Sequence, residues 1–278
     1  MIFNKIGLAI TFSPNGLALL KTAKRLQNLF NSDLCLIHVG DKEPDSELKM
    51  KKLLDEVGID GTKSELVWKK GEPSKIILSV CAEKDVDLLI AGALEKENLL
   101  KYYIGSVART LMRESPCSVL IITHPTQDAA HFRKFCATVE YTSLGEISLT
   151  TANEFAKLEH AEELTLIKEF QIPGLAITIS DSGSTTETEQ KRIAWQKEEE
   201  EKLNVFVKEL KLTGNEIKTI CLYGKHGWES GNYVKEINGD ILVIPSPPKK
   251  LKLFDRIFQH DIEFIIKQLP CSLLIVKK

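Results

Sequence analysis

Short apolar runs alternate with longer amphipathic segments along the first 123 residues of the chain. We predict five buried strands here, at 6–12, 33–40, 64–68, 87–91 and 118–123. Apolar residues recur at helical spacing between them, which predicts helices at 17–30, 45–57, 71–85 and 106–113. Because apolar strands that alternate with helices form parallel sheets with both faces covered, this part is predicted to be an α/β domain.

The same alternation returns, less regularly, after residue 134. Strands are predicted at 135–139, 163–167, 217–223, 240–243 and 272–276, and helices at 148–158, 186–209, 228–237 and 254–269. The segment ISDSGSTTETEQ, at 179–190, interrupts the pattern and is rich in Ser, Thr and Gly. This composition predicts a mobile loop.

Two stretches of sequence occur almost unchanged in both parts. PCSVLIIT begins at Pro116 and PCSLLIVK at Pro270, 154 residues later. In the strands upstream of them, Asp87 aligns with Asp240. A separation this long indicates duplicated domains rather than a solenoid, whose repeats span roughly 20–50 residues. We predict two tandem Rossmann-like domains, each a parallel five-stranded sheet flanked by helices, at 1–124 and 134–278 with a linker at 125–133.

Composition and charge narrow the classes of function. The formal net charge of −2, from 37 basic and 39 acidic residues, gives no electrostatic footprint for nucleic acid. The N-terminal apolar stretch is too short and too interrupted for a signal peptide or a membrane span, so we expect a cytoplasmic protein without membrane contact. The six cysteines form no CxxC pair and are expected to be buried and reduced, with no metal site.

The familiar motifs of catalysis are missing from the sequence. It has no GxxxxGK[ST] phosphate loop, no GxGxxG and no GxSxG nucleophile elbow, so we do not expect an enzyme. His38 lies in a strand pattern and is expected to be a core or rim residue. GKHGWESG, around His226, is expected to be a loop that starts a helix, with a small pocket as the alternative.

The segment AGALEKENLLKYYIGSVA, from Ala91 to Ala108, joins a predicted strand to a predicted helix. Gly92 stands at the carboxyl edge of the sheet, where open α/β sheets bind ligands. Gly105 and Ser106 stand where the helix begins, and the amides of a helix N-terminus bind phosphate. The alternative is a turn at Gly92 and a helix cap at Ser106, and spacing alone favours it.

With its strand order, SPN after the first strand and the ending PCSVLIIT, the chain resembles the universal stress protein family in its tandem form. In nucleotide-binding members, glycine, two residues, glycine, nine residues, glycine and then serine or threonine form the phosphate loop. Gly92, Gly105 and Ser106 match this pattern, whereas Glu95 stands at the second glycine. The resemblance implies ATP or AMP, with Mg²⁺, in the first domain.

The same resemblance implies further contacts to the nucleotide. Thr11 stands where the family often has an aspartate on the base side of the nucleotide, and Val39 stands where a residue lines the adenine pocket. Val107 directly follows the Gly–Ser pair and belongs to the implied site. A threonine hydroxyl forms hydrogen bonds, but it does not replace a carboxylate acceptor.

The second domain lacks the matching residues. Gln259 and His260 stand at the positions of Gly105 and Ser106, and prolines fill the segment PSPP at 245–248. Because proline has no amide proton to donate to a phosphate, we expect no nucleotide in this domain.

The sequence thus predicts a stress-response protein that binds a small ligand, an adenine nucleotide in the first domain only. Family analogy allows at most slow ATP hydrolysis. The alternative is a nucleotide-free interaction or regulatory module in which both sites are degenerate. The resemblance also implies that the last strands, 118–123 and 272–276, pair within the chain, and a homodimer of chains is left open.

Overall fold

Ten strands form one continuous sheet in the computed structural model, which describes residues 2–13, 15–95, 102–103, 105–123, 125–126, 128–171, 185–247, 265 and 269–277. The strands of this sheet are β1 (Lys5–Ala9), β2 (Asp33–Val39), β3 (Ser64–Lys69), β4 (Leu88–Gly92), β7 (Ser118–Ile122), β8 (Lys134–Thr138), β9 (Glu163–Phe170), β10 (Ile217–Tyr223), β11 (Ile241–Pro245) and β12 (Ser272–Val276). A separate hairpin consists of β5 (Leu94–Glu95) and β6 (Tyr102–Tyr103).

Seven helices accompany the strands in the described part of the chain. They are α1 (Gly16–Phe30), α2 (Pro44–Val57), α3 (Pro73–Glu83), α4 (Ser106–Glu114), α5 (Ser143–Leu158), α6 (Thr185–Leu210) and α7 (Trp228–Glu236). We call the part from β1 to β7 the front half and the part from β8 to β12 the rear half.

Two parallel five-stranded sheets meet in the middle of the large sheet. The strand order is β10-β9-β8-β11-β12-β7-β4-β1-β2-β3. Neighbouring strands run parallel within each half. At the junction β7 and β12 pair antiparallel, with Leu120 opposite Leu274. The predicted α/β class with five parallel strands per half is confirmed, and the two sheets are continuous.

Both faces of the sheet are buried along its inner strands, as the side chains of β2 illustrate. Leu34 and Leu36 belong to one apolar cluster, whereas Cys35 and Ile37 belong to a second cluster. Because successive side chains of a strand point to opposite faces, a continuous apolar run is what a strand covered on both sides requires.

A matched aspartate precedes the fourth strand of each half. Asp87 accepts hydrogen bonds from the backbone N–H of Lys5 and of the residue before it, at 3.1 and 2.6 Å. Asp240 accepts the equivalent pair from Lys134 and the residue before it, at 2.8 and 2.7 Å. Each carboxylate therefore ties the start of the fourth strand to the start of the first.

The first helix of the rear half begins at Ser143, five residues before the predicted start. The Thr142 hydroxyl accepts a hydrogen bond from Gly145 N–H at 3.0 Å and caps the helix. A Cβ on Gly145 would lie 2.0 Å from the carbonyl oxygen five residues earlier, and one on Gly16 in α1 would lie 2.2 Å from its counterpart. Both helices therefore need a glycine where they pass the preceding loop.

Some predicted features lie outside the described residues. These are most of the predicted helix at 254–269, including Gln259 and His260, as well as Pro248 and the part of the predicted loop at 179–184. The chain is helical from Thr185 onward, one residue before the predicted start of the helix at 186–209, so the predicted loop at 179–190 ends earlier than its composition indicated. No helix in the described ranges is long and apolar enough to cross a membrane.

Candidate functional site

The residues expected to bind a ligand in the front half lie along one edge of the sheet. Thr11 follows β1, Val39 ends β2 and Gly92 ends β4, and these three strands are neighbours in the order β4-β1-β2. Because parallel strands end at the same edge, the three residues share the carboxyl edge with the start of α4 at Ser106.

The N-terminus of α4 has no side-chain cap among the described residues. Gly105 is the N-cap residue with an extended backbone, at φ −61° and ψ 163°. The first turn carries no acidic residue, and Ser106 at its start is exposed. Val107 is half-buried and packs against the second apolar cluster. The first-turn amides thus form a positive helix end without a carboxylate on the helix to neutralise it.

Two of the other described helices, α3 and α5, satisfy these amides with side chains of the protein, whereas α1 and α2 have no side-chain cap. The Glu72 carboxylate accepts hydrogen bonds from Ser74 N–H and Lys75 N–H at the start of α3, at 3.0 and 3.1 Å. The Thr142 hydroxyl caps α5 in the same way. Ser106, in contrast, is the first residue of α4 rather than its cap. The alternative interpretation of Ser106 as a helix cap therefore does not match its position.

Gly92 has a packing role that is independent of any ligand. A Cβ at this position would lie 2.6 Å from Cδ1 of Leu19 in α1, which is closer than real Cβ contacts. A side chain at residue 92 would displace the Leu19 side chain from its place against the end of β4. This glycine is therefore explained by helix–sheet packing, and its presence alone does not indicate a phosphate site.

An aromatic cluster, formed by Phe12, His38 and Trp68, stands beside Thr11 and Val39. The His38 ring lies 4.8 Å from the Phe12 ring and 4.5 Å from the Trp68 ring, centroid to centroid. His38 is buried, and its Nδ1 lies 3.0 Å from a backbone carbonyl oxygen of the first strand's extension. We did not predict this cluster from the sequence. The aromatic residues near the ends of β1 and β3 could have indicated it.

The Thr11 side chain bonds locally and is exposed. Its hydroxyl donates a hydrogen bond to the Ser13 hydroxyl at 3.0 Å. A ligand acceptor at this place would compete with that serine for the proton. Thr11 thus provides a hydroxyl where universal stress proteins often have a carboxylate. This hydroxyl already forms a hydrogen bond with Ser13.

Glu95 lies in a hairpin and not in an irregular loop. It ends β5, and its backbone pairs with Tyr102 of β6 in antiparallel fashion. The sequence analysis did not predict this pairing. The residues between the two strands, 96–101, lie outside the described part.

A cavity of about 270 Å³ opens at the carboxyl edge of the rear half. Its walls include Thr138, Glu140, Lys168, Glu169, His226 and Pro245. The segment around His226 therefore lines a pocket, while α7 starts two residues later at Trp228. Both interpretations of GKHGWESG describe part of this arrangement.

The Glu169 carboxylate occupies the helix N-terminus next to this cavity. It accepts hydrogen bonds from Gly227 N–H at 2.8 Å and from Ser230 N–H at 2.6 Å, and only 7% of the residue is exposed. The second strands of the two halves can be aligned by the residues at which they begin to pair with the first strands. In this alignment Glu169 stands at the position of Val39. A phosphate entering here would meet a buried negative charge, which is unfavourable.

A second cavity, of about 490 Å³, lies beneath the linker where the two halves meet. Its walls include Thr22, Thr123, Phe132, Lys235 and Ser272. The Thr22 hydroxyl donates to a carbonyl oxygen of its own helix at 2.9 Å, and the Thr123 and Ser272 hydroxyls lie 3.4 Å apart. These hydroxyl groups bond within the protein, so they indicate no class of ligand.

Part of the chain is similar to a known protein family. Residues 41–123 match the model of the universal stress protein family. The front half is thus similar to universal stress proteins over this range. The matched range ends with β7 and includes Gly92, Gly105, Ser106 and Val107, but not Thr11 or Val39.

Two curated universal stress proteins are similar to part of the chain. The protein from Synechocystis sp. is 28% identical over 87 residues, which are 31% of this chain and 56% of that protein. The protein from Methanocaldococcus jannaschii is 29% identical over 80 residues, or 29% of this chain and 45% of that one. The chain thus spans about half the length of these universal stress proteins.

The whole chain has the fold of a solved universal stress protein. The crystal structure of a universal stress protein from Archaeoglobus fulgidus superimposes with a TM-score of 0.68 at 16% identity. The match covers 98% of each chain. At this identity the likeness shows the fold, and it extends through the rear half.

Proposed function

We propose that the front half of this protein binds an adenine nucleotide, ATP or AMP, at its carboxyl edge. We also propose that the protein acts in the cytoplasmic stress response. The observation that carries the nucleotide proposal is the N-terminus of α4, where Gly105 and Ser106 begin a helix that has, in the described part of the chain, no side-chain cap and no acidic residue in its first turn. The match of residues 41–123 to the family model supports it, because Gly92, Gly105 and Ser106 lie in this range and follow the spacing of the family's phosphate loop.

The phosphates are the part of the ligand that suits α4. Backbone N–H groups at a helix N-terminus point at an anion, and the helix dipole favours negative charge there. Gly105 brings no Cβ to the place where the phosphates approach, and the exposed Ser106 adds a hydroxyl donor. Val39, half-buried at the end of β2, offers an apolar contact to the base.

Magnesium would enter this site with the nucleotide. The described residues contain no group of three or more His, Cys, Asp or Glu side chains that could hold a metal ion. Mg²⁺ binds readily through phosphate oxygens and retains several of its waters, so it needs no cage of protein ligands. We propose a binding function without turnover, and any ATP hydrolysis would be slow.

The rear half is proposed to lack a nucleotide. The Glu169 carboxylate is buried beside the rear cavity and pairs with the amides that start α7. Its charge opposes a phosphate at that edge.

Isothermal titration calorimetry with ATP and AMP, with and without Mg²⁺, tests the proposal. Binding to the folded state alone must also raise the thermal unfolding midpoint. Ser106→Asp places a carboxylate at the exposed first turn of α4, and we expect it to weaken nucleotide binding at least about tenfold. Ser143→Asp makes the same change at the exposed start of α5 and is the matched control.

Two outcomes would redirect this proposal. Absence of heat and of thermal stabilisation at millimolar nucleotide would favour a nucleotide-free interaction module. Binding that Ser106→Asp leaves unchanged would place the nucleotide away from α4, with the rear cavity as the next site to test.

A further inference from the structure

The cavity at the carboxyl edge of the rear half has an apolar side. Four buried aliphatic side chains line it, those of Val139, Ile167, Ile244 and Ile265. A cavity of about 150 Å³ is already large enough to hold benzene. At about 270 Å³, the rear cavity therefore has room for a small organic molecule with an apolar body.

The Glu169 carboxylate brings a buried negative charge to the same cavity. Gly227 N–H and Ser230 N–H each donate to one of its oxygens, and each oxygen has a second lone pair for another donor. In the described ranges, the one basic side chain within 4 Å of this carboxylate is that of His226. Its Nδ1 lies 3.9 Å from the carboxylate oxygen, which is beyond hydrogen-bond distance. Among these residues the buried charge thus has amide partners but no lysine or arginine partner.

The capping of α7 does not require this arrangement. The Glu72 carboxylate accepts hydrogen bonds from two amides at the start of α3 in the same way, yet Glu72 is exposed. Glu169 is only 7% exposed and stands beside a cavity with aliphatic walls. Its burial next to an open space is therefore a feature beyond helix capping.

The other charged groups on the wall leave the cavity favourable to a cation. The Lys168 ammonium lies 4.5 Å from the centre of the Tyr141 ring and donates to the Val139 carbonyl oxygen at 3.5 Å. The ammonium is thus engaged at Tyr141, which lies outside the described wall of the cavity. The exposed Glu140 adds a second carboxylate to this wall. Two carboxylates and one engaged ammonium favour a positive ligand over a negative one.

We propose that the rear cavity binds a small organic ammonium compound with a short aliphatic body. The ammonium group donates to the free lone pairs of Glu169 and compensates a charge that is costly to bury without a cation. The aliphatic body contacts the apolar side of the cavity, and the area that it removes from water adds to the affinity. This proposal does not depend on nucleotide binding in the front half.

Calorimetry and NMR with the full-length protein test the proposal. The probes are isoamylamine, the uncharged isoamyl alcohol of similar shape, the anion isocaproate, and methylammonium as a cation without an apolar body. We expect isoamylamine to bind with a dissociation constant at least about tenfold lower than those of the other three, because it alone suits both the carboxylate and the aliphatic walls. Its addition should also shift the amide signals of Gly227 and Ser230.

Substitutions locate the binding site. Glu169→Gln removes the charge, keeps the size of the side chain and should weaken isoamylamine binding at least about tenfold. His226→Arg places a permanent cation close to Glu169 on a half-exposed side chain, so it should have the same effect without altering the buried core. His160→Arg makes the same change at an exposed position between α5 and β9, at the opposite edge of the sheet. This matched control should bind isoamylamine like the unmutated protein.

The selectivity of the unmutated protein decides the matter even if Glu169→Gln folds poorly. The proposal is overturned if isoamyl alcohol or methylammonium binds as tightly as isoamylamine, or if isocaproate binds best. Absence of isoamylamine binding at millimolar concentrations overturns it as well. Binding that His226→Arg leaves unchanged would place the amine outside this cavity and would also contradict the proposal.

Discussion

The Arg25 guanidinium and the Glu159 carboxylate form a two-point ion pair between the halves of the molecule. Arg25 Nη1 lies 2.9 Å from one oxygen of Glu159, and Nη2 lies 2.8 Å from the other. The Glu159 side chain is completely buried. His131 from the linker adds a contact of 2.7 Å between its Nδ1 and the same carboxylate. Residues from α1, the linker and the end of α5 thus meet at one buried charge.

Glu159→Gln should strongly destabilise the protein. The substitution removes the charge that compensates Arg25, whose side chain is only 17% exposed. Removing one partner of a buried ion pair costs roughly 3–5 kcal/mol, and we expect the lower end because Arg25 retains some contact with water. The free energy of unfolding from urea titration measures the effect.

A surface pair on the same helix provides the control for Glu159. Glu154 contacts Lys157 at 2.7 Å, and the two side chains are 45% and 30% exposed. Glu154→Gln should therefore change the free energy of unfolding by less than about 1 kcal/mol. Equal effects of the two substitutions would mean that the buried pair does not stabilise the contact between the halves.

Glu65 should make stability fall in acid. The ammonium group of Lys84, at 2.7 Å, and that of Lys5, at 3.3 Å, lower the pKa of Glu65 in the folded state. A lowered folded pKa means that the unfolded chain takes up the proton first. The contribution is therefore complete above the unfolded pKa of about 4.3 and is lost as the pH falls through the folded value.

Urea titrations at a series of pH values between about 3 and 6 measure this contribution. Glu65→Gln should lose stability relative to the unmutated protein above pH 4.3 and should approach it in acid. Because the side chain is 38% exposed, we expect a difference below about 1 kcal/mol. Parallel pH profiles for the two proteins would show that Glu65 makes no such contribution.

Gly92→Ala should destabilise the protein through α1. The added Cβ would lie 2.6 Å from Leu19 Cδ1, so the Leu19 side chain, the helix or the strand must move. Overpacking of this kind costs about 1–3 kcal/mol, measured by chemical denaturation. In a Leu19→Ala background the penalty should shrink, because the clashing methyl group is gone.

Gly231→Ala is the matched control for this packing argument. A Cβ on Gly231, in the middle of α7, would meet no atom of the described residues within 4 Å. The change should stabilise the protein by about 0.5–1 kcal/mol, because alanine favours the helix. If Gly92→Ala and Gly231→Ala behave alike, the packing account of Gly92 is wrong.

Much of this fold was accessible from the sequence because the same local rules act twice. The matched Asp87 and Asp240 follow from a repeated pattern, and the structure shows that each carboxylate holds the same pair of strand starts. Continuous apolar runs predicted the strands of the large sheet because burial on both faces leaves little place for polar residues. These signals depend on residues close together in the chain or on a visible repeat.

Some features of the structure could not be predicted because they depend on residues that are distant in the chain or on elements too short to show a pattern. Glu169 and the Gly227 amide it binds are 58 residues apart, so the neutralised start of α7 had no local signature. The β5–β6 hairpin has two residues per strand, which is too short for any periodicity. The predicted start of α5 was too late because the helix begins with a capping residue and a glycine, ahead of the apolar repeat.

Glu95→Gly should tighten nucleotide binding if the front site works as proposed. The substitution removes a negative charge at the position of the family's second glycine, on a strand that follows Gly92 closely. Like charges at short range disfavour phosphate, although exposure and salt weaken the effect. We expect a several-fold lower dissociation constant for ATP by calorimetry, and a smaller gain for AMP because it carries less charge.

Glu95→Gln separates charge from size at this position. It removes the charge but keeps a side chain of nearly the same volume. If charge dominates, the glutamine variant should gain most of the affinity of the glycine variant, and the gain should decrease as salt is added. If only glycine helps, crowding of the phosphates is the defect, whereas unchanged affinity in both variants would show that Glu95 does not face the nucleotide.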